Sequence, residues 1–195
     1  MNRIIVFVIA SALFAVNMTA QEEITLKKIW KSGLYSSQGV RGVNFYEGTK
    51  YTKLENNKIN LYDIKSGEQA GTIIDPSSSK KYGDLQIQNF KFDGDDGDLL
   101  LTSAKKSIYR YSYTAKYDFY DISKDEVFSI GKDNERVMVA AVSPNTEYAS
   151  FVKDNNLYIQ NFSSDKIIPV TTDGEKNKII NGSSDWVYEE EFAIT

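Results

Sequence analysis

The tail of the sequence carries three consecutive carboxylates among aromatic residues, in the string Asp-Trp-Val-Tyr-Glu-Glu-Glu-Phe from Asp185 to Phe192. Like charges held together on a partly apolar surface make it costly to keep all of them ionised, and a cation relieves that cost. An ammonium group offers three donors, which two carboxylates and one further acceptor can satisfy. Each close pair gains about 4 kcal/mol at an effective dielectric of roughly 20, before desolvation is subtracted. The segment therefore predicts a site that prefers free amines over blocked ones.

The local backbone decides whether two neighbouring carboxylates can share one cation. Adjacent residues of an extended strand point to opposite faces, so Glu190 and Glu191 converge only where the backbone makes a helical turn. We therefore predict a short helix or turn from Tyr188 to Glu191, with Trp186 and Tyr188 as packing residues that hold it. On spacing alone the alternative is an exposed acidic run, because charge runs usually lie on solvated surfaces.

The composition excludes several classes of function. The chain has no cysteine and no histidine, which removes disulfides, thiolate metal sites and the Ser-His-Asp proton relay. Its formal net charge of -4 disfavours a nucleic-acid partner, because binding phosphates needs a basic face. We predict no catalytic residue, no metal site and no cofactor in this chain.

The rest of the chain has the composition of short β-strands joined by turns. Its 13 tyrosines and 10 phenylalanines, with many Ile, Val and Thr, favour strands over helices. Three segments, beginning near Val43, Ile87 and Val139, repeat one order of apolar strand, turn, second strand, polar turn, aromatic strand and last apolar strand. Such recurrence is typical of propeller blades. We predict an all-β fold, a partial β-propeller of about three blades plus the start of a fourth.

The second of these repeats is longer than the others. Its extra residues fall between Leu99 and Ile122, where both arms keep the composition of strands. This pattern predicts one extended hairpin that projects beyond its neighbours, and such projections often carry recognition groups. Arg110 lies in this segment among tyrosines, where the alternative interpretation is an exposed strand arginine stacked on an aromatic ring.

The N-terminal residues predict export. Arg3 precedes the apolar run Ile4 to Val16, which is shorter than the ~20 residues of a membrane-spanning helix. This is the layout of a signal peptide over residues 1–20, cleaved near Ala20, and the alternative is an uncleaved membrane anchor, for which the run is short. A cleaved signal peptide indicates a periplasmic or secreted protein of the bacterial cell envelope, with no transmembrane segment in the mature chain. We assign 21–36 to an N-terminal segment and 37–195 to the propeller, and expect an incomplete domain because three blades supply neither closure nor caps.

Two motifs together resemble the propeller of dipeptidyl peptidase IV, a member of the prolyl oligopeptidase family. One is the acidic string from Asp185 to Phe192, and the other is Tyr-Ser-Tyr-Thr-Ala-Lys-Tyr-Asp-Phe-Tyr-Asp from Tyr111 to Asp121, preceded by Arg110. The similarity runs from about Leu34 to the end of the sequence. Both motifs are specific, and their separation also suits that family.

The resemblance implies roles for named residues. The family's double-glutamate motif, which grips the free N-terminal ammonium of a peptide, matches Glu190 and Glu191, with Glu189 as the preceding member. The family's propeller arginine, which contacts a carbonyl oxygen of the bound peptide, matches Arg110. A peptide with a free N-terminal amine is therefore the expected partner.

The resemblance also implies the activity of a full-length protein. Such a protein would be a serine exopeptidase that releases N-terminal X-Pro or X-Ala dipeptides and forms a homodimer. The α/β-hydrolase domain that carries the catalytic triad has no counterpart in this sequence, and no serine here stands in a G-x-S-x-G setting. We expect the chain to be an N-terminal fragment, inactive alone. The alternative is a secreted propeller-like binding or interaction module without protease activity.

Overall fold

The computed structural model describes residues 23–36, 43–93, 97–132 and 135–194. The chain divides into two compact units, the first ending at Gly39 and the second running from Val40 to Thr195. In the first unit, helix α1 (Leu26–Trp30) begins after Thr25, whose side chain accepts a hydrogen bond from the backbone N–H of Lys28. The predicted signal peptide lies outside the described residues.

The second unit contains three four-stranded antiparallel sheets, in each of which consecutive strands pair. The strands are β1 (Phe45–Tyr46), β2 (Lys50–Glu55), β3 (Lys58–Asp63), β4 (Gln69–Ile74), β5 (Asn89–Phe92), β6 (Leu99–Ser107), β7 (Tyr113–Asp121), β8 (Glu126–Ile130), β9 (Met138–Val142), β10 (Tyr148–Lys153), β11 (Asn156–Asn161) and β12 (Lys166–Pro169). We call the sheets β1 to β4, β5 to β8 and β9 to β12 blade 1, blade 2 and blade 3. The predicted all-β, partial-propeller fold is confirmed.

The repeat in the sequence corresponds to a repeat in turn geometry. Blade 1 turns from β2 to β3 at Asn56 and Asn57, which have φ angles of 50° and 65°. Blade 3 turns from β10 to β11 at Asp154 and Asn155, with φ angles of 48° and 60°. Two-residue hairpin turns with both residues left-handed match the twist of the flanking strands, and Asn and Asp tolerate this conformation best among the residues other than glycine. Both turns are the polar turn of the repeat that the sequence predicted.

The hydrophobic core lies between the blades. Strand β6 buries Leu99 and Leu101 in a cluster with Ile59 and Ile74 of blade 1. Leu100, which lies between these two leucines, belongs instead to a second cluster. This second cluster joins blade 2 to blade 3 and contains Ala115, Tyr117, Phe119, Ile130, Val137, Ala140, Val142, Ala149 and Phe151. Because successive residues of a strand face opposite sides, β6 is buried on both faces and blade 2 is the most enclosed of the three.

A buried glutamine also links blades 2 and 3. The side chain of Gln160 accepts a hydrogen bond of 2.8 Å from the N–H of Gly131. It donates bonds of 3.0 Å to the carbonyl of Ser129 and 2.7 Å to a carboxylate oxygen of Asp165. We expect Gln160→Leu to lower the free energy of unfolding by about 1–3 kcal/mol, because it leaves the buried N–H of Gly131 without an acceptor. Urea unfolding measures this, with the exposed Gln69→Leu as control, and a loss no larger than the control's would contradict it.

Beyond β12 the described residues contain no further strand. Glu175 and Ile179 form an isolated antiparallel bridge. Helix α2 (Trp186–Phe192) follows and contains the acidic string except for its first residue, Asp185, which is the N-cap. A short 3-10 turn (Pro76–Ser78) connects blades 1 and 2. No helix among the described residues is both long enough and apolar enough to cross a bilayer.

Candidate functional site

Arg110 lies at the tip of the long hairpin of blade 2. Strands β6 and β7 have nine residues each, against six in β2 and β3. The tip closes through a hydrogen bond of 2.9 Å from the N–H of Ile108 to the carbonyl of Ser112. The predicted extended hairpin is confirmed, and Arg110 lies in its turn rather than within a strand.

Helix α2 forms where the sequence predicted a helical turn. Asp185 caps its first turn by accepting a hydrogen bond of 3.0 Å from the N–H of Tyr188. Ala193 ends the helix in the left-handed conformation, with a φ of 54°. Because consecutive helical residues are about 100° apart around the axis, Glu190 and Glu191 do not point to opposite faces as they would in a strand.

The segment before α2 is fixed to the hairpin turn and strands of blade 3. The N–H of Asn181 donates a hydrogen bond of 3.1 Å to the carbonyl of Asn155. Gly182 has a φ of 77°, and a Cβ added there would lie 2.7 Å from Cγ2 of Val152. Only glycine permits so close an approach in this backbone conformation. Blade 3 therefore positions α2, while blade 2 positions Arg110.

These two elements bring Arg110 and Glu190 together. A nitrogen of the guanidinium (Nη2) lies 3.2 Å from Oε2 of Glu190. The Arg110 side chain is 63% exposed and that of Glu190 is 18% exposed. Ion pairs with a solvent-exposed partner contribute only about 0–1 kcal/mol, and Arg110 is such a partner, so its guanidinium can move at little cost when a second cation approaches Glu190. Glu191 is exposed at the next position of the helix.

Glu189 has a different environment from the two glutamates that follow it. It is 0% exposed and is the one buried residue of α2. Its Oε1 accepts hydrogen bonds of 2.7 Å from the N–H of Tyr111 and 3.0 Å from the N–H of Ser112. Its Oε2 and the hydroxyl of Ser112 are also buried, and among the described residues neither atom has a partner in hydrogen-bonding geometry.

Glu189 remains ionised at neutral pH. Burial by itself raises the pKa of this carboxyl, but the N–H of Ser112, the nearby Ser112 hydroxyl, the N–H of Tyr111 and the charge of Arg110 together outweigh it. The pKa therefore lies below its ordinary value. A buried carboxylate is tolerated where donors replace its lost hydration, and the two backbone amides do so here for Oε1.

The structure corrects two expectations about the acidic string. Trp186 and Tyr188 were predicted to pack and hold the turn, but they are 51% and 54% exposed, and Asp185 fixes the start of the helix instead. The alternative of an exposed acidic run is wrong for Glu189. Sequence reasoning missed the contact that buries this residue, because nothing in the spacing tells which of three adjacent carboxylates meets another part of the chain.

A cavity of about 510 Å³ opens beside the hairpin tip. Its wall includes Tyr111 and Tyr113 from the hairpin, Lys91 from β5 and Val139 from β9. Ala193, directly after α2, also contributes. The cavity therefore adjoins both elements that carry the candidate residues, and its size suits a small organic ligand or a peptide end.

Comparisons of the sequence with family models and with curated proteins indicate the same family. Residues 93–195 match the family model described as "Dipeptidyl peptidase IV (DPP IV) N-terminal region". Over 154 residues, covering 78% of this chain and 20% of the relative, the chain is 34% identical to prolyl endopeptidase FAP of Homo sapiens. Over 190 residues, covering 89% of this chain and 21% of the relative, it is 28% identical to a probable dipeptidyl-aminopeptidase B of Aspergillus oryzae.

A solved structure supports the same relationship. The crystal structure of Porphyromonas gingivalis dipeptidyl peptidase 4 superimposes with a TM-score of 0.76 at 34% identity, covering 90% of this chain and 25% of that one. The chain spans about a fifth of the length of these two curated relatives. The matched region includes the hairpin of blade 2, blade 3 and helix α2.

Proposed function

The chain belongs to the family described as the dipeptidyl peptidase IV N-terminal region, and on that premise we propose that it binds the free N-terminus of peptides. In this proposal Glu190 and Glu191 bind the terminal ammonium group, and Arg110 contacts a carbonyl oxygen of the same peptide. The observation that carries it is the 3.2 Å contact between Arg110 and Glu190. Two residues 80 positions apart in sequence thereby lie close enough to touch one short ligand.

The charges of the site favour an amine. A terminal ammonium has three donors and a full positive charge, whereas an acetylated terminus keeps one N–H and no charge. Glu190 already accepts one cation, the guanidinium of Arg110. A bound ammonium would share this carboxylate with Glu191, and the displaced donors of Arg110 would turn to the peptide carbonyl. The net charge of -4 of the whole chain adds a weak attraction for cationic ligands.

The proposal extends to a full-length protein. With an α/β-hydrolase domain, such a protein would be a serine-type dipeptidyl peptidase that releases X-Pro or X-Ala dipeptides from peptide N-termini. The site in this chain would set the cleavage position by holding the amine at a fixed distance from the nucleophile. The apolar run in residues 4–16 supports export to the periplasm or the exterior.

A pair of ligands tests the amine recognition. We expect Gly-Pro-amide to bind the 195-residue chain at least about 30-fold more tightly than its N-acetylated form, which corresponds to roughly 2 kcal/mol. Affinity for the free form should also fall above about pH 8, because the α-amino group then loses its proton. Ligand-observed NMR titration measures both effects. Equal affinity for the two ligands would contradict the proposal and favour a propeller-like binding module of another specificity.

A further inference from the structure

The tip of the blade 2 hairpin has few contacts that could hold Arg110 in place. Ile108, Tyr109 and Tyr111 are all exposed, and the guanidinium itself lies largely in solvent. The ion pair with Glu190 joins side chains only, and its arginine partner is largely exposed, so it does little to fix the backbone of the tip. Segments with little buried surface open locally at low cost in free energy. A contact that reaches the backbone of the tip therefore has a large influence on where Arg110 lies.

Glu189 makes such a contact. Its Oε1 accepts hydrogen bonds of 2.7 Å and 3.0 Å from the N–H groups of Tyr111 and Ser112, the two residues directly after Arg110. Hydrogen bonds to an ionised acceptor are about twice as strong as those between neutral groups. Because Glu189 directly precedes Glu190, the contact also fixes the tip relative to the helix that carries the amine-binding carboxylates.

We propose that Glu189 is a positioning residue, which holds the hairpin tip against α2 so that Arg110 reaches the ligand bound by Glu190 and Glu191. This inference rests on the proposed function for its effect on the ligand, but the contact between Glu189 and the tip stands without it. Glu189 itself touches no ligand in this scheme. It acts through the backbone of Tyr111 and Ser112, and thereby through Arg110.

The other parts of the fold do not depend on Glu189. Asp185 caps α2, and the two core clusters between the blades contain no residue of the helix. Glu189→Gln keeps the shape and one carbonyl acceptor but removes the charge. We therefore expect this variant to fold and to lose mainly the attachment of the tip.

Amide hydrogen exchange tests the contact without any ligand. In Glu189→Gln the amides of Tyr111 and Ser112 should exchange about 10-fold faster or more, equivalent to about 1.4 kcal/mol of lost local protection. Glu147→Gln, an exposed change of the same chemistry, should leave both amides as in the wild type. Unchanged exchange of the two amides in Glu189→Gln would overturn the proposal.

Glu189→Asp provides a second variant should Glu189→Gln not fold. It keeps the charge but is one methylene shorter, so it cannot hold both amides at their present distances. Faster exchange of Tyr111 and Ser112 is expected here as well, by a smaller factor. Wild-type exchange in Glu189→Asp would overturn the proposal, because a shorter side chain would then serve equally well.

A double-mutant cycle tests whether Glu189 acts through Arg110. We expect Glu189→Gln to weaken binding of Gly-Pro-amide about 10-fold in the wild-type background but less than about 2-fold in an Arg110→Ala background. Equal losses in both backgrounds, or unchanged affinity despite faster exchange, would overturn the positioning role. If the wild-type chain does not distinguish the free amine from its acetylated form, the proposed function fails, while the exchange result still decides whether Glu189 holds the tip.

Discussion

The double variant Glu190→Gln/Glu191→Gln should bind Gly-Pro-amide about 100-fold more weakly than the wild type, a loss of roughly 2.7 kcal/mol. Glutamine keeps the size and an acceptor oxygen of each side chain but removes both negative charges that the ammonium would face. Truncating or neutralising one partner of a charged contact commonly costs about 2–5 kcal/mol where the pair is desolvated, and less where it is exposed. Because this site is partly exposed, we expect a loss near the lower end of that range of free energies.

The acetylated ligand provides the control for this variant. Its affinity should not fall, because it carries no charge for either carboxylate to bind. Each single variant should lose about 10-fold, and Glu190→Gln should also release Arg110 from its present partner. If the double variant kept full affinity for the free amine, the role assigned to both glutamates would be refuted. NMR titration of the four proteins gives the complete set of values.

Phe119→Ala should cost about 3–5 kcal/mol of unfolding free energy. Phe119 lies on β7 and is 1% exposed in the core between blades 2 and 3. Its ring stacks on Phe162 with centroids 5.1 Å apart, and a second ring, Phe128, lies 6.3 Å away. The surrounding strands are held by their ladders and can collapse only partly into the space left by a phenyl ring, so the cavity adds to the lost burial.

Phe45→Ala is the matched control for this core substitution. Phe45 also lies on a strand, but it is 84% exposed, so its removal should change stability by less than about 0.5 kcal/mol. Both variants can be compared with the wild type by urea unfolding. A loss below about 1 kcal/mol for Phe119→Ala would contradict the placement of this ring in a tightly packed interface between blades.

The strands and turns were predictable because they depend on local pattern. The strand composition of both arms between Leu99 and Ile122 indicated a long hairpin, and the polar turn of the first repeat contains Asn56 and Asn57. The helical turn at Glu190 and Glu191 followed from an argument about strand alternation. These features depend on only a few neighbouring residues, and residue propensity and hydrophobic periodicity describe such short stretches directly.

The role of Glu189 could not be predicted in this way. Its burial depends on the amides of Tyr111 and Ser112, which are 78 and 77 residues away in sequence, respectively. The exposure of Trp186 could not be predicted either, because it depends on which face of α2 packs against the rest of the chain. Arg110 was singled out by its motif and not by spacing, since a lone arginine among tyrosines indicates no particular partner. Side-chain contacts between distant segments are set by the assembled blades, which a local pattern does not describe.

Helix α2 also carries a built-in optical label. The sequence has two tryptophans, Trp30 in the first unit and Trp186 as the first residue of α2. The indole of Trp186 is half exposed and lies four and five positions before the two glutamates that would bind the amine. After Trp30→Phe, the fluorescence of the chain would come from this one indole, so ligand occupancy could be followed by emission without attaching a dye.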